Sequence, residues 1–299
     1  MDTIEVVELF TQIDAAIDQG ESTRAFRLIL SNFEHLPDPA PLRERTARLL
    51  ADNDYVDPAV EIYNRIGLHY AKSGHPARAI AVAQKIADLD ADPGPIVERF
   101  AALYNVRSPF LDESRRHATF NPPIGELVTD PEEADIAADS LADAAAEKAL
   151  QSGYFASDPD EKLPSIPLLS QFPSDELTTL VSAMEYRTFS DLVAVIQPET
   201  TGGELIWTVS SDLTIGESDP TYRLVPGTLL GMNAYGRSAI PASESVYARN
   251  GSEILSLSAE AVEALEQEIA GFREYLVNTT RNAFTEALLE RHALFDAID

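Results

Sequence analysis

The 299-residue chain contains no cysteine, which excludes disulfides, thiolate metal sites and a cysteine nucleophile. Lysine is nearly as scarce: four of the 22 basic residues are Lys, and none follows Lys162. No run of about 18 apolar residues is present, so no membrane-spanning helix is expected. The N-terminal MDTIEVVELF is acidic where a secretory leader carries positive charge, and a cytoplasmic location is the expectation. Positive charge is outweighed along the whole chain, with 50 Asp and Glu against 22 Lys and Arg and a net charge of −28. Such a surface repels phosphodiester backbones and anionic lipid headgroups, because few Lys or Arg contacts release counterions. Neither a nucleic-acid nor a membrane partner is expected. The rest is ordinary for a globular protein: 44% hydrophobic residues and a length suited to two compact domains.

Residues 1–106 read as successive helices. In IEVVELFTQIDAAI, Val6, Leu9, Phe10, Ile13 and Ile17 recur at helical steps along one face. Gly20 ends that helix, and Ser22 or Thr23 is the expected cap of the next, which runs to Pro37. A third helix is expected over Pro39 to Leu50. A fourth and a fifth lie in DPAVEIYNRIGLHYAKSG and HPARAIAVAQKIADL, separated by Ser73-Gly74. Tyr63, Ile66, Gly67, Tyr70 and Ala79 in this last pair resemble a tetratricopeptide repeat, a helical hairpin of about 34 residues. The resemblance implies that Gly67 and Ala79 are small where the two helices cross, with Tyr63 and Tyr70 beside them. Ala87 and Pro93 fall out of the repeat's register. Stacked hairpins of this kind present a face to protein partners.

Residues 107–162 change character. Between Pro109 and Lys162 there are 13 acidic and 4 basic residues, with Pro pairs and Ala runs. This reads as an acidic linker containing one short helix over Glu132 to Leu150. Residues 163–299 change again. Short apolar alternations (EYRTF, LVAVIQ, LIWTVS, LTIGE, TYRLV, ESVYAR, EILSLS) are separated by turn residues such as Pro198, Gly202-Gly203 and Asp219-Pro220. Seven strands at this spacing imply a small antiparallel barrel or sandwich. From Ser258, the expected cap, a long helix follows with Glu260 and Glu263 in its first turns. Gly271 or Asn278 is the expected break. The fold class is therefore α+β multidomain, with an all-α N-terminal part and an antiparallel β-roll flanked by helices.

The order of helix, roll and long helix resembles a cyclic-nucleotide-binding domain, and the residues match as well as the order. Ile166-Pro167-Leu168-Leu169 with Pro173-Ser174-Asp175-Glu176-Leu177 is similar to that family's leading helix. QPETTGGELIWTVSSDLTI, residues 197–215, is similar to its Gly-rich turn and hairpin. Val225-Pro226-Gly227-Thr228-Leu229-Leu230-Gly231 resembles the approach to its phosphate-binding cassette, and Ile254-Leu255-Ser256-Leu257-Ser258 its last strand. The resemblance implies a Glu after the cassette Gly to accept a ribose hydroxyl, and an Arg-Ser-Ala triplet further on to neutralise the cyclic phosphate, with backbone amides of a short helix between. Gly231 is present, but Met232 stands at the Glu position. The Arg position falls at Pro241 or Ala242, ahead of Ser243 and Glu244, and Arg237 arrives four or five residues early. If the pocket is retained, Gly231, Met232, Asn233, Ala234, Arg237 and Ser243 line it. The departures imply a degenerate pocket, and a cyclic nucleotide is a disfavoured ligand.

No enzyme is expected, and no catalytic residue, cofactor or metal is assigned. His35, His69, His75, His117 and His292 lack ligand spacing. There is no phosphate-binding loop of the nucleotide-hydrolase type and no nucleophile elbow. Trp207, beside Leu205, Ile206 and Val209, reads as core. From Leu163 onward there are 7 Arg and 20 acidic residues, which argues against a basic DNA-reading helix-turn-helix. The long helix carries an apolar stripe of Val262, Leu265, Ile269, Phe272, Leu276, Phe284, Leu288 and Leu289. In the family such a helix commonly forms dimers, and homo-oligomerisation through it is expected. The leading expectation is a non-enzymatic regulatory or scaffold protein with protein partners. The alternatives are a sensor of a cyclic nucleotide or other small ligand, and a structural subunit of a homomeric assembly.

Overall fold

The computed structural model describes residues 3–36, 40–112, 127–128, 138–151, 162–197, 204–210, 213–215, 222–235 and 245–291. Six helices open the chain: α1 (Thr3–Asp18), α2 (Ser22–Asn32), α3 (Ala40–Asp52), α4 (Val56–Lys72), α5 (Pro76–Ala87) and α6 (Gly94–Tyr104). The last of these has no counterpart among the sequence expectations. Gly20 closes α1 in the left-handed region at φ 73°, with Glu21 N–H on the Ala16 carbonyl at 2.8 Å. The chain is thereby returned to helix one residue early, so the cap position is Glu21 and no side chain fills it. Neither Ser22 nor Thr23 is the cap.

In the acidic stretch, β1 (Leu111–Asp112) pairs in parallel with β2 (Leu163–Pro164), and α7 (Ala138–Leu150) lies between them in sequence. α7 matches the expected helix from Ala138 to Leu150, and residues 132–137 of that expectation lie outside the described residues. It is not a solvated spacer, because it packs against α2, α3 and α4 and buries Leu141, Ala142, Ala145 and Ala149. A helix with one apolar edge docks wherever a complementary face is near, whatever charge its other faces carry.

After α8 (Ser174–Ser182) come, among the described residues, eight strands: β3 (Glu185–Phe189), β4 (Val193–Ile196), β5 (Leu205–Thr208), β6 (Thr214–Ile215), β7 (Tyr222–Arg223), β8 (Leu229–Leu230), β9 (Val246–Ala248) and β10 (Ser252–Leu257). All seven expected strands are among them, and β8 is the addition. They form two four-stranded antiparallel sheets, β3-β10-β5-β8 and β4-β9-β6-β7. Two helices close the described chain, α9 (Ala259–Glu268) and α10 (Phe272–Arg291). Ser258 caps α9, its hydroxyl accepting from Ala261 N–H at 3.2 Å. The break falls at Gly271, with φ 81°, and not at Asn278.

The sheet β3-β10-β5-β8 is apolar on both faces because its neighbours lie on both sides. Leu205, Trp207, Val209, Leu229, Leu255 and Leu257 join one continuous core with the residues of α1–α10. Ile206 and Ile254 point the other way and meet Leu213 and Val246 of the opposite sheet. That is why LIWT and EILSL read as apolar runs and not as a clean alternation. α5 is the helix beneath this sheet, touching β3 and β10. It buries Ala77, Ala79, Ile80, Ala81, Val82, Ala83 and Ile86, an all-round apolar surface typical of a helix enclosed by protein.

Lys85 emerges from this enclosed helix and joins the layers. Its Nζ lies 2.5 Å from Glu44 Oε1 of α3 and 3.2 Å from Glu253 Oε1 of β10, with all three side chains at most 24% exposed. Tyr186 Oη donates to Glu253 Oε1, Tyr70 Oη donates to Glu44 Oε2 at 3.2 Å, and the Lys85 ammonium stands 4.7 Å above the Tyr186 ring. Burial opposes ionisation of Glu44, but Lys85 and Arg78 outweigh it and hold the carboxyl at about 2. Burial likewise opposes the Lys85 charge, yet Glu44 and Glu253 keep its pKa well above the ordinary lysine value.

Candidate functional site

The site is built on the turn after β8. Gly231 sits at φ 85°, and a Cβ there would lie 2.0 Å from the Glu204 carbonyl oxygen. Only glycine meets both demands. The turn is thus pressed against the start of β5, and Met232–Tyr235 follow as a short 3₁₀ helix. Ala234 N–H returns to the Gly231 carbonyl at 3.2 Å.

α10 lies on this short helix. Thr280 Oγ1 donates to the Met232 carbonyl at 3.2 Å, and the Arg273 guanidinium stands 5.5 Å from the Tyr235 ring centre. Tyr235 is buried. Burial pushes its hydroxyl up to about 12, with Glu266, Glu263 and Glu204 acting in the same direction and Arg273 against them. Met232 and Ala234 are half-buried against the main core. Of the six residues assigned to the pocket, Gly231, Met232 and Ala234 are therefore brought together at one turn. The Asn233 side chain and residues Arg237 and Ser243 lie outside the described residues.

Between the two sheets the lining is apolar: Ile206, Leu213, Val246 and Ile254, with Phe189, Ile196, Ile215 and Leu230 around them. Charge enters at one side. Arg187 pairs across the ladder with Ile254 and so shares its face, and its Nη2 meets Glu204 Oε1 at 2.6 Å. Two polar atoms on this face, Arg187 Nε and Ser256 Oγ, are buried without a hydrogen-bond partner among the described residues. Sequence reasoning missed Arg187 and Glu204. EYRTF places Arg187 with Phe189 by alternation, but which face is inward depends on the register with β10, which no local pattern reveals.

The four residues singled out in the helical part are all interior. Tyr63, Tyr70 and Ala79 are buried. The atoms nearest a Cβ at Gly67 belong to Ile96, with Cδ1 at 2.3 Å. The close approach that Gly67 permits is thus to α6, where the sequence reading had placed it against the other helix of the hairpin. Among the described residues, no group of three or more His, Asp or Glu side chains is placed to hold a metal ion, and no helix is long and apolar enough to cross a membrane.

No protein-family model matches the chain, and neither does any curated protein. Among solved structures it is similar to the catabolite activator protein of Thermus thermophilus, at 22% identity and a TM-score of 0.35, over 42% of this chain and 61% of that one. It is also similar to a cyclic nucleotide-binding domain from Methylobacillus flagellatus, at 17% identity and a TM-score of 0.34, over 42% of this chain and 73% of that one. The chain spans about three-fifths of the length of the catabolite activator protein it matches. Likenesses this distant fix neither ligand nor activity.

Proposed function

We propose that this chain is a non-enzymatic regulatory or scaffold protein, in which tetratricopeptide-like helices bind protein partners on a roll of cyclic-nucleotide-binding type whose cassette is retired. The observation that carries the reading is the occupied cassette turn. Met232 is half-buried against the core where the resemblance asks for a ribose-binding Glu, and Thr280 of α10 is bonded to that residue's carbonyl. Two cations beside the turn are already engaged, Arg187 with Glu204 and Arg273 with Glu266. A charge-assisted hydrogen bond is worth about 1.5–3 kcal/mol, so a ligand deprived of such anchors loses orders of magnitude in affinity. The helical part supports its half of the reading through the packing of α4 on α5 as a hairpin, with Tyr63, Tyr70 and Ala79 buried.

Calorimetric titration of the purified protein with cyclic AMP and cyclic GMP tests this. No saturable heat is expected up to millimolar ligand, and saturable binding in the micromolar range overturns the reading. A second reading, a small-ligand sensor, is favoured by the two unpartnered atoms on the inter-sheet face, Ser256 Oγ and Arg187 Nε, since buried polar groups ordinarily have partners. Its ligand would be small and largely apolar, to suit the lining.

A further inference from the structure

Between β1 and β2 the structure describes residues 127–128 and 138–151. The chain leaves at β1 and returns at β2, and these two strands pair side by side, Leu111 with Leu163. The core of α1–α6 and the roll is continuous across that junction. What holds these residues is therefore their own contact with the helical layer, and that contact has the form of a receptor and a bound segment.

Asn32 is fully buried and grips the Val128 backbone from both sides. Its Nδ2 donates to the Val128 carbonyl and its Oδ1 accepts from Val128 N–H, each at 2.8 Å. At the far end, the last carbonyls of α7 meet two guanidinium groups. Arg43 Nε donates to the Ala149 carbonyl at 2.8 Å and Arg65 Nη1 to that of Leu150 at 2.6 Å. A helix leaves these carbonyls unsatisfied and carries partial negative charge there, so two buried or half-buried arginines make a socket for a helix end. Between the two grips, Leu141, Ala142, Ala145 and Ala149 are buried, while Asp139, Asp143 and Glu147 face solvent. The socket thus reads backbone and a mostly alanine stripe, and it also touches the outer face, where Tyr55 Oη donates to Asp139 Oδ1 at 2.9 Å and Lys148 Nζ meets Glu34 Oε1 at 2.5 Å. An isolated helix of this length is marginal in water, and a stripe that is mostly Ala buries little surface.

We propose that the groove formed by α2, α3 and α4 is the partner-binding face of the helical layer, and that α7 occupies it in cis as a displaceable mimic of the partner. The partner is a protein segment of the same chemistry: an alanine-striped amphipathic helix with an acidic outer face and a C-terminal end free for Arg43 and Arg65. This rests on the reading that the helical layer binds proteins.

The probe is a capped, fluorescently labelled peptide of residues 138–151, titrated by anisotropy onto the full chain. Ala145→Asp in the chain places a carboxylate at a fully buried contact and ejects the cis helix. Binding of the peptide is expected to tighten about tenfold or more, as occlusion of the competent state is removed, and to be lost again when Arg43→Ala is added. Equal affinity for the wild-type and Ala145→Asp chains overturns the proposal. Should Ala145→Asp fail to fold, hydrogen exchange on the wild-type chain decides. Amides of 141–150 exchanging about a hundredfold faster than those of α4 and α5 support a displaceable occupant, and equal protection makes α7 permanent core. Micromolar binding of a cyclic nucleotide alongside peptide exchange would sink the retired-cassette reading and leave this inference standing.

Discussion

Two glycines show how differently one residue type can be required. At Gly231, positive φ and a backbone oxygen 2.0 Å from the missing Cβ act together, and a backbone oxygen at the edge of a strand has nowhere to go. Gly231→Ala is expected to cost on the order of 3 kcal/mol, combining a conformational penalty with overpacking. At Gly67 the obstacle is Ile96 Cδ1, the far end of a side chain that can change rotamer. Gly67→Ala should cost only about 1 kcal/mol, and most of that should return in the Gly67→Ala, Ile96→Val double variant. Urea unfolding midpoints of the four chains measure both. Comparable losses at the two glycines would refute the distinction.

At the scale of elements, the C-terminal helices divide where the backbone allows it. Gly271 at φ 81° ends α9, and the turn brings Phe272 onto Phe172 with ring centres 5.6 Å apart and Tyr275 onto the same ring at 4.7 Å. Val262, Leu265, Ile269, Phe272 and Leu276 are thereby buried within the chain. The stripe that suggested a dimer is used internally up to Leu276, and the side chains of Phe284, Leu288 and Leu289 lie outside the described residues. Everything in this arrangement starts from the cap at Ser258. Ser258→Ala is expected to lower stability by about 1 kcal/mol and Ser258→Asp to retain it, because either oxygen satisfies the Ala261 N–H. Thermal denaturation of the pair reads the difference.

At the scale of the molecule, the helical layer and the roll share one core and one polar clasp, so they should unfold together. Trp207, the single tryptophan, is buried in that shared core and reports on the junction. Glu44 titrates at about 2 in the folded chain against an ordinary 4.5. Its stabilisation is therefore complete above about 4.5 and disappears as the pH falls through 2. Glu44→Gln is expected to cost roughly 3 kcal/mol near neutrality, since it leaves the enclosed Lys85 short of a counter-charge. That deficit should shrink steadily between pH 4.5 and 2. Acid unfolding followed by Trp207 fluorescence and by far-UV circular dichroism should coincide, and two separated transitions would show that the layers are independent.

The local elements follow from near neighbours along the chain. Periodicity marked five of the helices and seven of the strands, Ser258 marked where the C-terminal helices begin, and Gly271 was one of two candidate breaks with Asn278, because caps, breaks and alternation depend on near neighbours. Gly231 was legible as a required glycine, though not its reason, the Glu204 carbonyl. How the pieces meet depends on contacts that form after the elements pack. Lys85 reads as an ordinary surface cation until α5 is enclosed between helices and sheet. Arg187 is assigned to the inner face only through its register with Ile254. The acidic stretch reads as a spacer because its composition is polar. Yet one leucine and three alanines along one edge of α7, with Asn32, Arg43 and Arg65 waiting far away in sequence, suffice to dock it. Contacts between residues distant in sequence leave no periodic trace, and the candidate partner groove is made entirely of such contacts.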